Sequence, residues 1–254
     1  MNRFSIVLLG SLLASSTLSI AQEGGLGQAA MQAIGSMTLS DAQVATMSRE
    51  AIQEMDSKSP VAGPGDPYAV RLNRLVSRHR TVSGIPLNYK VYMVKDVNAF
   101  AAADGSVRVF KGLMDIMTDQ EILAVIGHEI GHVVNKDSRD GMKAALRRSA
   151  LRSAVASRSG VIGKLSRSQL GGIADYIAGA SHSRKQETEA DDYGYQFLKK
   201  NGYSVLALAS SFEKLAKLSG GGGGKLTEFM SSHPESAKRA QRIRDRARQE
   251  GLTR

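Results

Sequence analysis

The sequence predicts an α+β fold, mainly helical, with a small antiparallel sheet beside a buried helix. Three observations carry that prediction. Two helix starts are written as capping boxes, Ser40 with Gln43 and Thr118 with Glu121. Two short apolar runs suited to strands, Tyr89 to Val94 and Val107 to Phe110, flank the turn Ala103-Asp104-Gly105. The chain of 254 residues has no cysteine, so burial rather than disulfides must hold its core, and thiol catalysis is excluded.

Taken in order, Met1-Asn2-Arg3, the apolar run Phe4 to Leu13 and the small-residue site Ser19-Ile20-Ala21 read as a signal peptide over residues 1–21. Export to a bacterial periplasm follows, without a lipid anchor, since the site lacks cysteine. Residues 22–66 form a helical extension, capped by Ser40 and running to about Lys58, and a Pro/Gly linker from Ser59-Pro60 to Pro67. Residues 67–235 form the main domain. It opens with a helix near Tyr68 to Arg80, continues through the two strands, and reaches the helix capped by Thr118. There Ile122, Leu123, Val125, Ile126, Ile130, Val133 and Val134 supply a broad apolar face, and the helix ends near Asp137. Residues 138–182 are basic and rich in small residues. They read as a lid hinged at Gly160, Gly163, Gly171 and Gly172, or as a long connection. Gly220 to Gly224 form a flexible linker, and residues 236–254 a basic C-terminal helix.

Formal charge is +10. The excess gathers at Lys143, Arg147, Arg148, Arg152, Arg158, Lys164 and Arg167, and again at Arg239, Arg242, Arg244, Arg246 and Arg248. No aromatic residue interleaves with them, which argues against single-strand nucleic acid, and an exported chain meets none. The two readings are a solvated face and attraction to an anionic membrane surface.

The chemistry centres on His128-Glu129-Ile130-Gly131-His132. Two histidines four apart share one helical face and reach one zinc ion, and the glutamate between them is placed to take a proton from an activated water. A buried helix would otherwise reject three such polar groups. A catalytic site needs a third protein ligand and an open position. The remaining histidines are His79, His182 and His233, and Asn135 and Ser138 exclude the metzincin continuation. Glu187 and Asp191 lie four apart on one helical face, so one carboxylate can ligate while the other orients a ligand histidine; spacing leaves open which does which.

The segments Ala124–Val133, Ser183–Asp191, His233-Pro234 with Arg239, and Asn88–Met117 resemble periplasmic zinc peptidases of the LoiP/BepA type, in metallopeptidase family 48 of the gluzincin group. The likeness runs from about Ser40 to the C-terminus. It implies a zinc endopeptidase with one Zn2+ per chain held by His128, His132 and Glu187, Glu129 as the base and Asp191 supporting a ligand histidine. It assigns His233 either to the open metal position or, with Arg239, to the oxyanion. It implies that substrate adds as a strand along a sheet edge, expected at Ser106, Val107, Arg108, Val109 and Phe110. Unfolded or outer-membrane proteins are the implied substrates, with a gated zinc-binding chaperone or assembly factor as the alternative. The chain departs from its relatives at Asp137, where many carry another histidine.

Overall fold

The computed structural model describes residues 39–148, 167–219 and 232–253. The signal-peptide expectation, the hinge glycines Gly160 and Gly163, and the linker Gly220 to Gly224 lie outside these residues. Both expected capping boxes close. Ser40 caps α1 (Asp41–Lys58), and Thr118 caps α4 (Asp119–Val134), with the N3 side chain returning to the cap nitrogen each time. Asp66 and Pro67 start α2 (Pro67–Leu75), which stops earlier than its periodicity suggests. There the chain turns into a two-residue hairpin, β1 (Thr81–Val82) and β2 (Ile85–Pro86), through Ser83 and Gly84, both at positive φ.

The main sheet has three strands in the order β3–β5–β4, with β3 (Asn88–Tyr92), β4 (Ala99–Ala101) and β5 (Ser106–Phe110). It is mixed rather than antiparallel: β3 runs parallel to β5, and β4 antiparallel to it. This overturns the expected substrate edge. Ser106, Val107, Arg108, Val109 and Phe110 form the central strand, hydrogen-bonded on both sides, and are therefore closed to an incoming chain. Burial explains the position: Val107 and Val109 are sealed in the core, and the Arg108 guanidinium is neutralised by Asp56 of α1. The outer side of β3 is covered by the linker, whose Ala62 nitrogen bonds the Val91 carbonyl. The remaining edge is β4.

After β5 come α3 (Lys111–Ile116), α4, α5 (Asp137–Arg148), α6 (Arg167–Ala178), α7 (Arg184–Lys200), α8 (Leu206–Ser219) and α9 (Ser236–Gln249). Gly171 and Gly172, expected as hinges, lie within α6. Two apolar cores result. The larger joins α4, α7, α8 and α9 to the sheet through Ile122, Ile126, Leu198, Phe212 and Ile243. The smaller joins α1, α5 and α6 to Tyr92 and Phe100 through Val44, Met47, Ile52, Met142, Ile173 and Ile177. No helix among the described residues is long and apolar enough to cross a membrane.

Candidate metal centre

Helix α4 is buried on every side from Glu121 to Val133, so its polar residues have no access to bulk water. It meets α7 where both helices lack side-chain bulk. A Cβ on Gly131 would stand 2.9 Å from the Ala190 backbone, and one on Gly194 would stand 3.2 Å from the His128 nitrogen. This close approach brings Glu187 up to the two histidines of α4. The capping box of Ser183 and Gln186 fixes where α7 begins, one turn before.

Four buried side chains converge. His128 Nε2 and His132 Nε2 are 3.2 Å apart. Glu187 Oε1 lies 3.4 Å from His132 Nε2, and Oε2 lies 3.6 Å from His128 Nε2. His233 Nδ1 closes the group, 3.0 Å from Glu187 Oε1 and 3.3 Å from His128 Nε2. The far nitrogens explain the chemistry. His128 Nδ1 faces Asp191 at 3.0 Å and His132 Nδ1 faces Asp137 at 2.9 Å, so each carboxylate accepts the Nδ1 proton. With both rings neutral, the two Nε2 lone pairs would converge on one another and on a carboxylate, an arrangement that a proton on His132 relieves in the metal-free centre and that a metal ion would relieve when bound. The donor set therefore fits a metal ion.

The charges agree. Burial and neighbouring Arg239 depress His128, keeping it neutral and ready to ligate. Burial disfavours charge on His132, but Asp137 and Glu187 outweigh it and lift the ring to about 9, so a metal displaces a proton there. Burial would raise Glu187, yet His132 and His233 hold it well below the usual carboxylate range. Burial likewise opposes the charge on Asp191, which Arg239 and His128 nevertheless bring down to about 2. Glu129 is 2% exposed, and its Oε1 has no hydrogen bond among the described residues while standing 3.4 Å from His233 Nε2.

The family model for Peptidase family M48 matches residues 69–247. The chain belongs to peptidase family M48. It is 48% identical over 229 residues to Metalloprotease LoiP of Escherichia coli (strain K12), covering 90% of each chain. It is 46% identical over 217 residues to Metalloprotease YcaL of the same organism, covering 85% of this chain and 84% of that one. To the Beta-barrel assembly-enhancing protease of Yersinia pestis it is 28% identical, with 95% of this chain aligned to 53% of the relative. The buried centre is thus that of an M48 metalloprotease.

The structure brings His128, Glu129, His132, Glu187, Asp191 and His233 into this M48 centre, but it turns Arg239 away from the cavity. The Arg239 guanidinium spans Asp191, through Nε at 2.9 Å and Nη2 at 2.6 Å, pairs with Glu187 and lies 4.1 Å above the Phe212 ring. With both edges occupied, it supports the ligand side chains rather than meeting a substrate oxyanion. Two further groups belong to the site. Asp137 holds His132, whereas the sequence marked it only as a departure from the histidine of relatives. His182 stacks flat on His132 with ring centroids 3.8 Å apart, from a position whose spacing gave no hint. His79 lies elsewhere, edge-on to Phe197.

The centre opens on a cavity of about 20 Å³ between β4 and α6, room for little more than one water. Ala99, Phe100 and Ala101 line one wall, Tyr176, Ile177 and Ala178 the other, with Glu129 and His233 at the bottom.

Proposed function

We propose that this chain is a zinc-dependent endopeptidase of the bacterial periplasm or outer membrane, acting on misfolded or envelope proteins, and that the structure is its closed form. The observation that carries the reading is the convergence of His128, His132, Glu187 and His233 beside Glu129. Tetrahedral zinc with bonds of about 2.0–2.2 Å needs donor atoms roughly 3.3–3.5 Å apart. The spacings of 3.0 to 3.6 Å lie within about 0.3 Å of that requirement. His128, His132 and Glu187 hold the metal in this reading. When bound, zinc polarises the scissile carbonyl and acidifies water at the site. Glu129 accepts the water proton and hands it to the leaving amine. Asp191 and Arg239 keep His128 and Glu187 oriented. His233 would occupy the remaining metal position at rest, and its withdrawal would free that position and its ring for the oxyanion.

Substrate, in this reading, adds as a strand along β4 rather than β5. Asn98 and Ala102 use backbone groups toward β5, so alternation turns those of Ala99 and Ala101 outward above Glu129. Ser138 now bonds the Ala101 carbonyl at 3.1 Å, and α6 covers the approach, so α6, with α5 beyond Asp137, serves as the lid. Attraction to an anionic membrane surface rests on the basic residues from Arg147 to Arg167, because Lys143 pairs with Asp41 and α9 spends its arginines internally. Arg242 meets Asp192 at 3.0 Å, Arg244 meets Glu213 at 2.5 Å, and Arg248 meets Asp245.

The test is casein degradation by purified wild type beside Glu129→Gln at equal zinc content. A loss of about 10²–10⁴-fold is expected on removing the base. Equal rates overturn the role of Glu129. The closed centre also favours a second reading, a gated zinc-binding chaperone or assembly factor. It predicts that Glu129→Gln restores envelope integrity to cells lacking the protein, whereas the peptidase reading predicts that it does not.

A further inference from the structure

We propose that Asp137 is the positioning residue that fixes the ring of His132 for its metal, and that Gln186 carries this support into the capping box of α7. The inference rests on the zinc-site reading above and names what retains the metal on the side of the centre facing α5.

The local chain explains how a residue five positions after a helical ligand returns to it. Helix α4 ends at Val134, Asn135 stays near helical with φ −72° and ψ −6°, and Lys136 enters the left-handed region at φ 67°. That reversal swings Asp137 back beneath the helix end, where it is 6% exposed and its Oδ2 meets His132 Nδ1 at 2.9 Å. Its other oxygen, Oδ1, accepts from Gln186 Nε2 at 3.0 Å. Gln186 Oε1 accepts in turn from the Ser183 nitrogen and from its hydroxyl, both at 2.9 Å. The amide is thereby held at both ends, carbonyl toward the cap and NH2 toward Asp137. One hydrogen-bonded chain runs from the start of the helix that carries Glu187 to the ring that shares its metal. His182 restrains the face of the His132 ring, but a stacked neighbour leaves rotation in the ring plane free. Asp137 sets that rotation, and so sets where Nε2 points.

A plainer role for Asp137 is an acidic first turn for α5, favourable to the helix dipole. That role needs neither burial nor two partners from outside α5. Asp140 shares the first turn of α5 but is exposed and pairs with Arg139, so it tests the dipole role alone.

The experiment titrates metal-stripped full-length protein with zinc against a chelator of known affinity, and with cobalt(II) read by its visible absorption. Asp137→Ala and Asp137→Asn are expected to weaken zinc by roughly 10–100-fold and to change the cobalt spectrum, as loss of a ligand's hydrogen-bond partner does. Gln186→Ala is expected to act in the same direction and less, and Asp140→Asn to leave both readouts unchanged. Wild-type zinc affinity in folded Asp137→Ala overturns the inference. Should that variant fail to fold, near-isosteric Asp137→Asn decides on the same criterion. Equal weakening in Asp140→Asn also overturns it, in favour of the dipole role. A wild type that takes up neither metal overturns the zinc reading itself, and this inference with it.

Discussion

The two sides of the metal centre are held by different forces. On the side of α4, α7 and α9, buried charges do the holding. Arg239, 7% exposed, bridges Asp191 and Glu187, and each of those acids bears on the histidines. On the side of α1 and α6, the buried contacts of the cover are apolar: Ile173 and Ile177 of α6 and Met142 of α5 pack with Phe100 of β4 and with α1, while the pairs that Arg139 and Lys143 make with Asp41 lie at the surface. A buried ion pair broken on one side leaves an uncompensated charge, so it persists or fails as a unit. Apolar surfaces separate without stranding a charge. On the closed-form reading proposed above, the difference lets the ligand set stay in place while its cover lifts.

The sharpest way to break the comparison is on the charged side. Arg239→Ala strands Asp191 and Glu187 and is expected to cost about 3–5 kcal/mol, or about 6–20 °C in melting temperature. Arg239→Lys recovers only part of that, since an ammonium cannot span two carboxylates in the same plane. Thermal melts of metal-free protein check both; a melt unchanged in Arg239→Ala would remove the charged half of the comparison.

On the apolar side, Ile177→Ala removes a methyl-rich contact between the cover and β4. A loss of about 2 kcal/mol from the closed form alone would raise the open fraction by roughly thirtyfold. Short-peptide hydrolysis is expected to rise while zinc content stays constant. No rise at full zinc content would mean that the cover does not control access.

Acid gives the smallest effect. Burial would raise Asp56, but Arg108, Lys90 and Tyr92 outweigh it and hold its carboxyl below the ordinary 3.8. A depressed carboxyl contributes stability above its unfolded value and loses it as pH falls through the folded one. The tie between α1 and the sheet should therefore weaken below about pH 4, its ordinary value. Asp56→Asn should make the acid-side fall in melting temperature shallower; an identical slope would show that this tie contributes nothing.

What the sequence made legible follows the same division. The helix carrying His128, Glu129 and His132 could be read because its capping box and apolar period are local. Glu187 and Asp191 could be read as a pair four apart. The sheet order was not legible, because β4 is three residues, Ala99-Phe100-Ala101, buried throughout and without alternation, and the edge expected at β5 came only from the resemblance. Pairing partners far apart in sequence decide which strand is central. Arg239 was legible as a site residue but not in its direction, since its partners lie on α7, almost fifty residues away. Asp137 stood out as a departure, and only the left-handed turn at Lys136 gives that departure a use.

The most direct test is anomalous diffraction at the zinc absorption edge from crystals of the metal-loaded protein. A single peak within about 2.0–2.2 Å of His128 Nε2, His132 Nε2 and a Glu187 oxygen is the expected result. A peak among His132, Asp137 and His182 instead, or no peak from protein that still cleaves casein, would contradict the account.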